Sequence, residues 1–115
     1  MRDHTKLRAF ELADKVIILI YQTTKAFPRN EMYGLISQMR RAAVSVPSNI
    51  VEGCARKSHS EYIRFLETAF GSLRELHYQF TLTKRLGYTD DKTITRKIIE
   101  AAKVLGGLIR SLRNP

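Results

Sequence analysis

Apolar residues recur along this chain at alternating steps of four and three, the spacing that places them on one side of a helix. In the last segment they fall at Ile94, Ile98, Ala101, Leu105, Leu108 and Leu112. A third segment repeats the pattern through Tyr62, Leu66, Ala69, Leu73, Leu76 and Phe80, and it opens with Ser58 and Glu61 in the relation of a capping box. The second carries Ile36, Met39, Ala43, Val46 and Ile50, and the first Ala9, Ala13, Val16, Ile20, Thr23 and Phe27. No stretch alternates with the period of a strand. The pattern predicts an all-α chain with helices over 7–26, 30–56, 59–86 and 90–112, all within one domain spanning 1–115.

The breaks are short. Phe27-Pro28-Arg29-Asn30, Gly53 to Ser58 and Leu86-Gly87-Tyr88-Thr89 interrupt the periodicity, with Thr89 placed to cap a turn carrying Asp90 and Asp91. Long helices joined by short connections pack as antiparallel neighbours, so the expected architecture is an up-down-up-down four-helix bundle. Pro47 sits inside the second helix, where it removes a backbone hydrogen bond and crowds the carbonyl of Ala43. A kinked but continuous helix is expected, with the hydroxyls of Ser45 and Ser48 as compensating partners and a full break as the alternative. In the next turn Asn49, Glu52 and Gly53 share a face and are expected to form a structural motif with Pro47.

One stripe per helix leaves apolar residues over. Ile17, Ile18, Leu19 and Ile20 are consecutive and wrap most of the first helix, and Ile63, Phe65 and Phe70 lie outside the stripe of the third. Large apolar patches mark partner surfaces, so self-association through helices one and three is expected, with Ile17, Ile18, Leu19, Ile63, Phe65 and Phe70 at the interface. A wide bundle core is the competing explanation.

Charge changes the picture more than composition does. Among 115 residues, 20 Lys and Arg outnumber 11 Asp and Glu, for a formal charge of +9. Arg96, Lys103 and Arg110 recur every seventh residue opposite the apolar stripe of the fourth helix, and Lys92 and Arg113 extend the row. Further pairs occur at Arg40-Arg41, Arg56-Lys57 and Lys84-Arg85. Such a surface suits phosphates, which it would bind by releasing their counterions, without a motif that reads bases. Tyr33, Tyr78 and Tyr88 are the aromatic residues best placed to stack on bases. Each cationic pair also fits an ordinary solvated face or a helix end.

Other classes lose support. The longest apolar run, Val16 to Tyr21, is far shorter than the roughly 20 residues of a membrane span. The amino-terminal MRDHTKLRAF lacks the apolar centre of an export signal, so a cytoplasmic protein is expected. A lone Cys54 and three scattered histidines form no metal-ligand set, and no phosphate-loop pattern surrounds Gly106-Gly107, so no cofactor is expected. Ser45, Ser48, Asn49, Glu52 and Cys54 gather near Pro47 but lack a histidine base within the segment, and a non-enzymatic role is expected.

The segment FPRNEMYGLISQMRRAAVSVPSNIVEG, residues 27–53, closely resembles the four-helix family named after 23S ribosomal RNA intervening sequences. The likeness continues through EYIRFLETAFGSLREL at 61–76, LGY at 86–88 and LGGLIRSL at 105–112. Two features depart from the family pattern: LRAFELADKV stands where a Trp-centred motif is common in the first helix, and Val51 where Ala is common. The resemblance implies a small basic bundle assembled as a barrel-shaped homopentamer. Some relatives are encoded within insertions of large-subunit ribosomal RNA genes. Similar proteins serve as accessory subunits of diversity-generating retroelements and bind nucleic acid and a reverse transcriptase. Two functions therefore stand side by side: phosphate-directed binding of RNA or DNA, and an oligomeric scaffold that docks a protein partner such as a reverse transcriptase.

Overall fold

Ile20, Met39, Ile50, Leu66, Leu76, Phe80 and Ile98 lose all contact with solvent, and they come from four different helices. In the computed structural model, which describes residues 2–114, these helices are α1 (Arg8–Thr24), α2 (Leu35–Cys54), α3 (His59–Arg85) and α4 (Thr93–Arg113). Each packs on its neighbours in the order α1, α2, α3, α4 and back to α1, and the backbones of the two diagonal pairs stand further apart across a shared core. Neighbours run antiparallel. The end of α1 meets the start of α2 where Arg40 reaches Thr24, the end of α2 meets the start of α3 at Gly53 and Tyr62, and His59 opens α3 beside the Leu112 carbonyl near the end of α4. The bundle is 44 Å long and 23 by 19 Å across. Its 6,990 Å² of surface exceeds the ~6,400 Å² expected for a compact monomer of this mass.

The predicted stripes of α2 and α3 are buried throughout. On α1, Thr24 is buried in place of Thr23, and Leu12 joins the core. On α4 the stripe drifts to Ile109, leaving Leu108 and Leu112 half-buried. A straight helix turns once per 3.6 residues, so a strict seven-residue pattern rotates off the contact line after two turns or more.

Helix ends differ from the predicted ones for local reasons. Residues 29–31 form a separate 3-10 turn, and α2 starts at Leu35 because Gly34 adopts a non-helical conformation and the Glu31 carboxylate accepts the Leu35 amide at 3.4 Å. Helix α4 starts three residues later than expected. There the Asp91 carboxylate accepts the Thr93 and Ile94 amides at 2.6 and 3.2 Å, and Thr89 binds the Asp91 amide instead of capping the helix. At α3 the Ser58 hydroxyl accepts the Glu61 amide at 3.1 Å, as the capping box requires.

Helix α2 runs unbroken through Pro47, which is itself buried. The serines do not compensate as expected. Ser45 Oγ bonds Ser72 Oγ of α3 at 2.8 Å, while Asn49 Nδ2 donates to the Ser45 carbonyl and hydroxyl at 2.8 and 3.0 Å; Ser48 is exposed. The proline turn is thus tied to α3 by a chain of polar contacts. Four residues on, a Cβ placed at Gly53 would lie 2.9 Å from the Phe65 Cβ and 3.3 Å from the Tyr62 carbonyl, so α2 and α3 approach closely only because no side chain intervenes. Gly71, by contrast, would add its Cβ to open space. Two substitutions of one chemistry should therefore act in opposite directions. Gly71→Ala should stabilise the protein by up to about 1 kcal/mol through helix propensity, and Gly53→Ala should destabilise it by about 1–3 kcal/mol through overpacking, both read from urea unfolding midpoints.

Candidate nucleic-acid interface

Two of the four seams of the helix ring, α3/α4 and α1/α2, lie on opposite sides and differ in their lining. Along the α3/α4 seam, Phe70 projects toward Gly106, where an added Cβ would stand 3.4 Å from its ring. Two adjoining hollows of about 310 and 250 Å³ share Phe70, Gly106 and Arg110. Their floor is apolar, made by Ile98, Ile99, Ala102, Ile109 and Leu73, and their rims carry Arg74, His77, Lys103, Arg110 and Arg113. Glu67 is the single carboxylate among the lining residues, and it is already paired with Arg113. Arg96, one heptad before Lys103, and Lys92, one helical turn further on at the cap of α4, are exposed and continue the cationic row toward the exposed Arg85 at the end of α3.

The remaining cations stand elsewhere. Arg40 is held against α1: its guanidinium lies 4.5 Å from the Tyr21 ring centre and its Nε donates to Thr24 at 3.0 Å. Arg41 is exposed on the other flank of α2. Arg56 pairs with Glu52 at 2.5 Å and covers the Phe65 ring, and Lys57 is exposed in the loop that follows. Lys84 lies over Phe80, half-buried. The eleven cations singled out from the sequence therefore divide into a row on one seam and scattered groups tied to local structure.

Of the aromatic residues proposed for stacking, Tyr33 is 96% exposed and Tyr78 60% exposed. Tyr88 is half-buried, tilted against Phe27, and its hydroxyl donates to Glu31 at 2.8 Å, a bond that raises its pKa.

The six apolar residues expected at the self-association interface lie on several faces of the bundle. Phe65 packs toward α2 beneath Gly53, whereas Phe70, with Ile63 two turns earlier on the same face, borders α4. All three are half-buried, packed in part between helices of the same chain. Ile17 lies on the stripe of α1 that includes Tyr21 and Thr24, toward α2, and Leu19 lies on the opposite flank. Ile18 points outward, 56% exposed. Part of the open apolar surface lies on α1 and α2, where Ile18, Tyr21, Val44 and Val51 are exposed, and Tyr21 and Val44 share a hollow with Met32, Tyr33, Arg40 and Arg41; Tyr78, Leu86 and Ile99 are exposed on α3, the loop after it and α4. Arg74, Val44 and Tyr21 were not singled out from the sequence. Arg74 stands one turn from Phe70, but it comes opposite the α4 row only through the antiparallel register of α3 and α4, which spacing within one helix does not show.

Around Pro47, Ser45 and Asn49 are occupied by contacts to each other and to Ser72, and Glu52 by Arg56. Burial raises the pKa of the Cys54 thiol, and its neighbour Tyr62 is likewise raised by burial. Among the described residues no three His, Cys, Asp or Glu side chains are arranged to hold a metal ion, and no helix is long and apolar enough to cross a membrane.

The fold and this surface define a class, the small basic antiparallel four-helix bundles. More specifically, residues 5–110 match the family described as the 23S rRNA-intervening sequence protein, and the chain belongs to that family. Its fold is shared by a crystal structure from Bacteroides thetaiotaomicron described as a protein with unknown function from the S23 ribosomal protein family. The two chains are 21% identical, with a TM-score of 0.81 over 89% of this chain and 95% of that one. No curated protein matches the sequence.

With its pKa raised and its sulfur buried, Cys54 should resist iodoacetamide at mildly alkaline pH in the native protein and react fully in denaturant. Mass spectrometry of the alkylated chain reads the difference, and rapid native labelling would contradict this packing.

Proposed function

We propose that this protein is a non-catalytic, self-associating bundle that binds RNA or DNA through phosphate contacts along the α3/α4 seam. The observation that carries the reading is the concentration of Arg74, Lys103, Arg110 and Arg113 around one groove, against a single, already paired carboxylate. Each phosphate neutralised there releases condensed counterions, so affinity follows from the number of cations engaged and needs no base-reading motif. The formal charge of +9 adds long-range attraction to any polyanion.

Self-association is assigned to the other seam. Ile18, Tyr21, Val44 and Val51 expose apolar surface on α1/α2, away from the cations of α3/α4, so copies joined there would leave every basic groove facing outward. In the homopentamer implied by the family resemblance each contact is heterologous, so this patch would meet a different face of the next copy. Docking of a protein partner such as a reverse transcriptase is the second reading, favoured by the same apolar seam, whose aromatic Tyr33 is almost wholly exposed. A non-enzymatic role is supported by the packing duties of the polar residues near Pro47.

Fluorescence anisotropy with labelled single-stranded RNA, duplex RNA and duplex DNA over a salt series tests the binding. Affinity should fall steeply with salt, and Arg96→Glu/Lys103→Glu/Arg110→Glu should abolish binding at moderate salt and flatten the logarithmic slope by about two to three. Absence of binding at low salt would overturn the proposal. Light scattering tests the assembly: Ile18→Glu/Val44→Glu should reduce the particle mass to that of one chain. A wild-type protein that is monomeric throughout would assign the seam to a different protein partner.

A further inference from the structure

We propose that the α3/α4 groove takes an unpaired nucleic-acid strand, with bases against its apolar floor and phosphates on its cationic rims. This rests on the proposed binding of nucleic acid and specifies which form is bound. The groove is concave and layered. Its bottom presents Phe70, Ile99 and Ala102 rather than further charge, while Arg74 on α3 and Lys103 and Arg110 on α4 stand above it on either side. Ile99 is exposed and Phe70 and Ala102 half-buried, so apolar groups reach the surface between the cations, a feature that phosphate binding alone does not use. A strand with unstacked bases does, because every base offers an apolar face to stack while its backbone stays in reach of the rim.

Gly106 keeps the groove open. A Cβ there would lie 3.4 Å from the Phe70 ring and 3.5 Å from an Arg110 guanidinium nitrogen, so a larger side chain would fill the space between floor and rim. Packed helices stand about 8–10 Å apart, which leaves a channel too narrow for a duplex to enter. In a duplex the bases are also stacked on one another, so it would engage the rims alone. The hollows of about 310 and 250 Å³ meet at Phe70, and a ring inserted on either side would contact it.

The discriminating probes are two short labelled DNA strands of equal length and charge, one of oligothymidylate and one abasic throughout. Wild-type protein should bind the base-bearing strand at least about tenfold more tightly, the gain expected from one or two stacked bases. Gly106→Leu should bring the two affinities together by filling the space between floor and rim. Phe70→Leu provides the same readout should Gly106→Leu fail to fold by circular dichroism. Equal wild-type affinities would overturn the inference and leave phosphate binding intact. Discrimination that persists in the folded variants would also overturn it, by placing the bases elsewhere. Failure to bind either strand at low salt would overturn the proposed function itself, and this inference with it.

Discussion

The close approach of α2 to α3 is the constraint on which the rest of this molecule depends. At Gly53 the backbone of α2 comes so near Phe65 and Tyr62 that even a methyl group would be in conflict, and two turns earlier Ser45 meets Ser72 while Asn49 holds the Ser45 carbonyl. These contacts fix both the distance and the register of the two helices. Pro47 lies between them, and the loss of its backbone hydrogen bond is tolerated in a helix that remains continuous and packed on both neighbours. With α2 and α3 set, the connections to α1 and α4 leave one ring order, and the wholly buried residues of all four helices close the core.

That ring order decides the surface. Because α1 and α3 sit on a diagonal, the extra apolar residues of each cannot join in one patch; those of α3 are taken up beneath Gly53 and beside Gly106. What stays open on α1 merges with Tyr21, Val44 and Val51 along α1/α2. The opposite seam gathers cations from α3 and α4 around an apolar floor. The proposed self-association of a basic protein works against repulsion among its charges, and on the α1/α2 side Arg40 is drawn onto the Tyr21 ring and Thr24 while the cationic row lies on the opposite seam. The proposed division of labour between self-association and nucleic-acid binding follows from that separation.

Much of the fold was legible because helix periodicity is local. Every residue of the α2 and α3 stripes, the Ser58 cap and the four-helix order can be read from spacing alone. The misplaced features each required information from beyond the local pattern. The start of α2 depends on Gly34 and the Glu31 carboxylate, the start of α4 on Asp91, and the shift from Leu108 to Ile109 on the accumulated rotation of a helix over five turns. The candidate site was half visible. The α4 row of Arg96, Lys103 and Arg110 shows in one dimension, whereas Arg74 and the Phe70 floor belong to it only through the register of a second helix. Likewise Arg40 and Arg56 read as free cations in sequence, yet the Tyr21 ring and Thr24 hydroxyl hold Arg40, and Glu52 and the Phe65 ring engage Arg56.

The central claim, that opposite seams do different work, is tested most directly by hydroxyl-radical footprinting at low and high protein concentration, with and without oligonucleotide. The account predicts that raising protein concentration protects Ile18, Tyr21 and Val44, and that oligonucleotide separately protects Phe70, His77 and Ile99. Protection of one shared set by both would contradict it, as would oligonucleotide protection confined to α1 and α2.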